Sequence, residues 1–117
     1  MIKIVDSKLI TGAVKDLFIK ANTCLRPDIF SALKAARKNE TRPKARYALD
    51  VIIKNALIAK KKMLAICQDT GMAVVYLKIG QSLAVKGDLK KAVSNGVALA
   101  YKEGYFRNSI VNDPLIR

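Results

Sequence analysis

Along the first half of the chain, apolar residues recur at helical spacing. Leu9, Ile10, Ala13, Val14, Leu17, Phe18 and Ala21 follow Asp6 and Ser7, either of which can accept the free amide protons of a first turn. A first helix is therefore expected to run to about Asn22. Pro27, whose fixed backbone angle suits a first helical position, opens a shorter second helix that turns Ile29, Phe30 and Leu33 inward before the charged run 34–40. Thr41 and Pro43 open a third, with Ala45, Ala48, Leu49, Ile52, Ile53, Ala56 and Leu57 as its apolar stripe. Lys60, Lys61 and Lys62 close it where a helix's last turn favours positive charge. The texture changes at Met63. Residues 67–71 are polar and end in glycine, which reads as a loop, whereas 73–79 are β-branched and apolar enough for a strand, with 83–86 a short second one. Asp88 then caps a fourth helix with Leu89, Ala92, Val93, Gly96, Val97, Ala100 and Tyr101 on its inner face, and Gly104 stops it. Gly96 costs that helix about 1 kcal/mol relative to alanine, so a close backbone contact is expected there. The predicted fold is a single helix-rich α/β domain of about four helices with a small β-sheet formed around 73–79.

Composition narrows the chemistry. The 117 residues, 51% of them apolar, can fill one core but not the two domains of a larger enzyme. With no histidine and only two cysteines, the chain alone can build neither a Ser-His-Asp triad nor a histidine-ligated zinc site. Twenty-two Lys and Arg against nine Asp and Glu give a formal charge of +13, which attracts anions of any kind: nucleic acid, acidic metabolites or an acidic partner. No arginine-rich tract, aromatic-flanked RNA motif or helix-turn-helix signature accompanies the charge, and the lysines are spread over helix faces. They read as a solvated surface rather than a nucleic-acid groove. No segment has a signal peptide's apolar core or the roughly 18 apolar residues of a membrane span, so a cytoplasmic protein without membrane contact is expected.

The loop between the third helix and the apolar run carries the densest chemistry. Cys67, Gln68, Asp69, Thr70 and Gly71 place a thiol, an amide, a carboxylate and a hydroxyl in consecutive positions. Two readings stay open on composition and spacing. Cys67 is either a small buried hydrophobe beside an ordinary polar turn, or the loop is a site.

Ile66, Cys67, Gln68, Asp69, Thr70 and Gly71, followed by 73–79 and by Gly80 and Gln81, resemble the N-terminal part of the class I fumarase and tartrate dehydratase family. Residues Asn55, Ala56, Leu57, Ile58 and Ala59 match as well, as do Asn95, Gly96 and Val97. So does the run Gly104, Tyr105, Phe106, Arg107, Asn108 and Ser109 leading into Asp113, Pro114 and Leu115, all in order and at suitable spacing. The resemblance implies an oxygen-sensitive hydro-lyase that interconverts a 2-hydroxy dicarboxylate and its dehydrated product, malate and fumarate or tartrate and oxaloacetate, on a 4Fe-4S cluster. It further implies that Cys67 is the first of three cluster ligands. Asp69 is the acid/base candidate and a substrate contact, Gln68 offers an amide to a substrate carboxylate, and Arg107 clamps a carboxylate through two parallel bonds. Thr70 is expected to stabilise the loop through backbone bonds, and Cys24 to pack.

The resemblance also implies two further cysteine ligands downstream, which this sequence lacks. Residues 1–117 are therefore expected to be the N-terminal portion of an α subunit, truncated and inactive alone, that works in an oligomer with a β subunit or C-terminal domain. The competing reading is a non-catalytic remnant or interaction module, and a basic nucleic-acid-binding domain ranks below both.

Overall fold

The computed structural model describes residues 1–67 and 69–116. These form a helix-rich α/β structure with four helices and a two-stranded sheet, in the order β1 (Lys3–Asp6), α1 (Ser7–Thr23), α2 (Pro27–Asn39), α3 (Pro43–Lys62), β2 (Leu83–Lys86) and α4 (Leu89–Glu103). The chain separates into two compact units. The first comprises Met1–Lys20 and the described residues from 69 onward, and the second is Ala21–Cys67.

In the first unit β1 and β2 pair in parallel, with Lys3 opposite Leu83 and Asp6 opposite Lys86. Helices α1 and α4 leave the ends of these strands. Asp6 accepts the Lys8 amide at 2.8 Å, and Asp88 accepts that of Lys91 at 2.9 Å, so each helix start has a carboxylate on its free donors. The closest approach falls at Gly96. A Cβ there would lie 2.7 Å from the Thr11 carbonyl oxygen and 2.8 Å from Val14 Cβ, so the contact expected from the sequence is present. Thr11 Oγ1 adds a hydrogen bond of 3.0 Å to the Ala92 carbonyl across the same seam. Val14, Ala92, Ala100 and Phe106 are buried around it. Phe18 stacks on Tyr101 at 5.2 Å between ring centroids, and both rings meet Phe106 edge-on.

The second unit is built on the α2–α3 hairpin. Its turn is tied by Glu40, whose carboxylate accepts the amides of Thr41 and Arg42 at 2.9 and 2.8 Å. Arg37 bridges to Asp50 through two bonds of 2.7 and 3.2 Å. Ala56 and Ala59 are the buried positions of α3, while α2 buries no residue fully.

The sheet does not form where the sequence pattern put it. Residues 73–79 make no strand, and Val74 and Tyr76 are 65% and 92% exposed. β-branched composition favours extended backbone, but a strand exists only where a neighbour takes its amides and carbonyls. The sheet instead joins β2, which was expected, to β1, which was not. The alternation of Ile2 and Ile4 with Lys3 was the available signal, and it is too short to stand out.

Gly96→Ala should destabilise the chain by about 1–3 kcal/mol in urea unfolding, although alanine is the better helix former, because the added methyl meets backbone. A neutral result would show that the α1–α4 seam yields. A second expectation concerns pH. The Arg37 hydrogen bonds hold the Asp50 carboxyl below its ordinary value of 3.8, with the Arg37 and Arg46 charges adding to them. The pair's contribution is therefore complete above that ordinary value and disappears as pH falls through the lowered one. Wild type should exceed Asp50→Asn slightly in stability at neutral pH, and the gap should close in acid; a gap that persists in acid would assign it to something other than the charge.

Candidate functional site

Two backbone anchors position the residue before Cys67. α3 ends at Met63 in the left-handed conformation, φ 53°, and the Leu64 amide reaches back to the Ala59 carbonyl at 3.0 Å, which turns the chain sharply. Ile66 is then held at both polar atoms: its N–H donates to the Asn22 carbonyl at 2.9 Å, and its carbonyl accepts from Asn55 Nδ2 at 2.8 Å. Cys67 follows with an exposed thiol that forms no disulfide. Cys67 is thus not buried in this structure, as the reading of it as a small buried hydrophobe would require. Gln68, the expected amide donor, lies outside the described residues.

Asp69 and Thr70 belong to the first unit. The Asp69 carboxylate accepts the Gly71 amide at 3.0 Å, closing a tight turn in which Gly71 takes φ +66°. Thr70 Oγ1 donates to the Arg107 carbonyl at 2.9 Å, and the Tyr101 hydroxyl donates to the Gly71 carbonyl at 2.9 Å. Thr70 thus does what the sequence suggested, with its backbone partner 37 residues away. The Ser109 hydroxyl is buried beside the Asp69 carboxylate without closing a well-formed hydrogen bond. Ser109, the Gly71 amide and the Arg107 charge, in that order, hold the Asp69 carboxyl below its ordinary value of 3.8. At neutral pH the residue is a carboxylate, able to accept a proton. Among the described residues no ion pair joins Arg107 to Asp113.

Of the site residues expected from the sequence, Asp69 and Arg107 come together in the first unit and Cys67 closes the second. The supporting residues Asn55, Tyr101 and Ser109 were not assigned roles from sequence. Asn55 had a signal, being a poor helix former in the middle of a long helix. Tyr101 looked like an ordinary core position of α4, and nothing in its spacing points to the hydroxyl. An apolar groove lined by Leu25, Pro27, Phe30, Ala56, Leu57 and Lys60 lies between α2 and α3 and contains none of the loop's polar groups.

No cluster of three or more His, Cys, Asp or Glu side chains that could hold a metal occurs among the described residues. The exposed Cys67 thiol suits a single thiolate ligand. Cys24 is half-buried, its sulfur 3.7 Å from the Thr23 hydroxyl, which fits a packing role.

The fold and loop define a helix-rich α/β module that presents a carboxylate against an arginine-bearing segment. Residues 11–117 match the family model of fumarate hydratase (Fumerase), and the chain belongs to that family. It is 34% identical over 110 residues to a protein of Methanocaldococcus jannaschii named as an L(+)-tartrate dehydratase subunit alpha, a match covering 92% of this chain and 38% of that one. It is 30% identical over 106 residues to the anaerobic class I fumarate hydratase of Escherichia coli, covering 90% of this chain and 19% of the relative. Fumarate hydratase 2 of Leishmania major is 36% identical over 76 residues, 65% of this chain and 13% of that protein. The chain thus spans well under half the length of these relatives. Among the described residues no helix is long and apolar enough to cross a membrane.

The contrast between the two thiols is directly measurable. Limited alkylation with iodoacetamide followed by peptide mass mapping should modify Cys67 well ahead of Cys24. Faster labelling of Cys24 would contradict the exposure of the loop.

Proposed function

We propose that this chain supplies the N-terminal, substrate-contacting part of the α subunit of a hydro-lyase acting on a 2-hydroxy dicarboxylate, of the malate–fumarate or tartrate–oxaloacetate type. The observation that carries the reading is the meeting of Asp69 with the Arg107 segment, inside a stretch that matches the fumarate hydratase family from residue 11 onward. Elimination of water needs a base for the proton on the adjacent carbon and a means of making hydroxide a tolerable leaving group. A 4Fe-4S cluster, when bound, supplies that second part as a Lewis acid. Cys67 offers one thiolate for it, and the other ligands come from a C-terminal region or partner chain outside this sequence.

The base for the carbon-bound proton comes from the other subunit, and the residues of this chain serve the reacting oxygen and the substrate's carboxylates. Asp69, held ionised, exchanges a proton with the reacting hydroxyl or water. Arg107 grips a substrate carboxylate with the planar two-bond fork that suits it. Gln68 donates its amide to another carboxylate oxygen. The positive surface supports the same reading, since it draws a dianion toward the protein. A cytoplasmic enzyme, oligomeric through a β subunit or its C-terminal equivalent, is the setting proposed for it.

The test is steady-state kinetics on the enzyme assembled anaerobically with the remaining ligands and partner. Arg107→Ala should raise KM for the dicarboxylate by about tenfold or more, the value of one charge-assisted contact, and Arg107→Lys should recover only part of it. Unchanged constants in both variants would remove Arg107 from the site and with it the assignment of this loop.

A further inference from the structure

Two side-chain hydroxyls tie the Asp69 turn to α4 and to the segment after it. Thr70 Oγ1 reaches the Arg107 carbonyl, and Tyr101 Oη reaches the Gly71 carbonyl, both at 2.9 Å. Between them the turn is closed by the Gly71 amide on Asp69 Oδ1 at 3.0 Å. Both hydroxyl bonds end on backbone carbonyls. Thr70 therefore acts on the main chain of Arg107, and Tyr101 on the main chain of the glycine that shapes the carboxylate's turn.

The anchors themselves are held from behind. Tyr101 sits in the aromatic cluster with Phe18 and Phe106, and its ring is stacked at 5.2 Å on the former. Phe106, adjacent to Arg107, is buried, so both the hydroxyl and the arginine's backbone are referenced to the same core. Against that, Asp69 and Arg107 are exposed, so burial does not place them. The buried Ser109 hydroxyl lies beside the Asp69 carboxylate and favours its ionised form.

We propose that Thr70 and Tyr101 are positioning residues: together they form a two-bond clamp that fixes the main chain of the Asp69 turn against the main chain of Arg107, the two backbones from which the carboxylate and the guanidinium project. The proposal rests on the reading of Asp69 and Arg107 as substrate contacts. The clamp sets the separation of those two backbones, and one substrate can touch both groups only if it is kept, since a displacement of about 1 Å in such a pair is enough to lower turnover strongly. Neither hydroxyl touches substrate.

In the assembled enzyme, Thr70→Val and Tyr101→Phe should each lower kcat/KM about tenfold, the scale of one lost hydrogen bond, while Thr70→Ser keeps activity within about twofold. On an Arg107→Ala background the further effect of Thr70→Val should shrink to less than about twofold, because the group it places is gone. A full tenfold loss on that background, or equal loss in Thr70→Ser, would overturn the clamp. Amide hydrogen exchange on the chain itself separates the two hypotheses. Thr70→Val and Tyr101→Phe should speed exchange at Gly71 while leaving the middle of α4 protected, whatever the activity. Unchanged exchange at Gly71 would overturn the clamp, whereas faster exchange together with an inert Arg107→Ala would uphold it and discard the substrate role of Arg107.

Discussion

The approach of α1 and α4 at Gly96 is the constraint on which the first unit depends. No side chain fits between the Thr11 carbonyl and the α4 backbone at that point, so the two helices have one register and no freedom to slide. Tyr101 lies five residues further along α4, about 7.5 Å of helical rise. Its hydroxyl is thereby delivered to the Gly71 carbonyl. Phe106 turns back into the same core immediately past the helix, which brings the Arg107 carbonyl within reach of Thr70. A glycine chosen for packing thus sets the geometry of a loop distant in sequence.

How much of this the sequence discloses depends on the range of the interaction involved. All four helices were legible because periodicity, Pro at the first turn and Asp at the cap act within a few residues. Gly96 was legible as an anomaly, a residue whose helix cost demanded a neighbour. The misplaced sheet shows the limit. The run 73–79 has strand composition without a strand, because pairing is a property of two segments and its composition describes only one. β1 and β2 are separated by most of the chain, and nothing local to Lys3–Asp6 announces its partner.

The same distinction separates the parts of the candidate site. Cys67, Asp69 and Arg107 stood out through residue type and resemblance, since thiol, carboxylate and guanidinium carry their chemistry wherever they are placed. Tyr101, Asn55 and Ser109 did not, because their roles are relational. Asn55 earns its place by reaching the Ile66 carbonyl eleven positions on, and Tyr101 by a hydroxyl at the rim of an otherwise ordinary aromatic core. The large positive charge, conspicuous from composition, explains the least. Most of its lysines lie on exposed helix faces, and its physical effect is a long-range attraction for anions that chooses no particular one.

The loop from Asp69 to Gly71 is held by side-chain bonds to backbone rather than by burial, and that separates its shape from its charge. Burial would make every change of side chain a change of packing, whereas here the anchors are the Thr70 and Tyr101 hydroxyls, and Asp69 contributes the bond that closes the turn on the Gly71 amide. An asparagine at position 69 still offers an oxygen to that amide, so the turn can persist when the negative charge is removed. The fold of the turn thus needs the oxygen of residue 69 and not its charge. The Thr70 hydroxyl on the Arg107 carbonyl and the Tyr101 hydroxyl on the Gly71 carbonyl therefore hold the turn beneath an exposed, ionised group without burying it, and its charge stays in water while its backbone is referenced to the core.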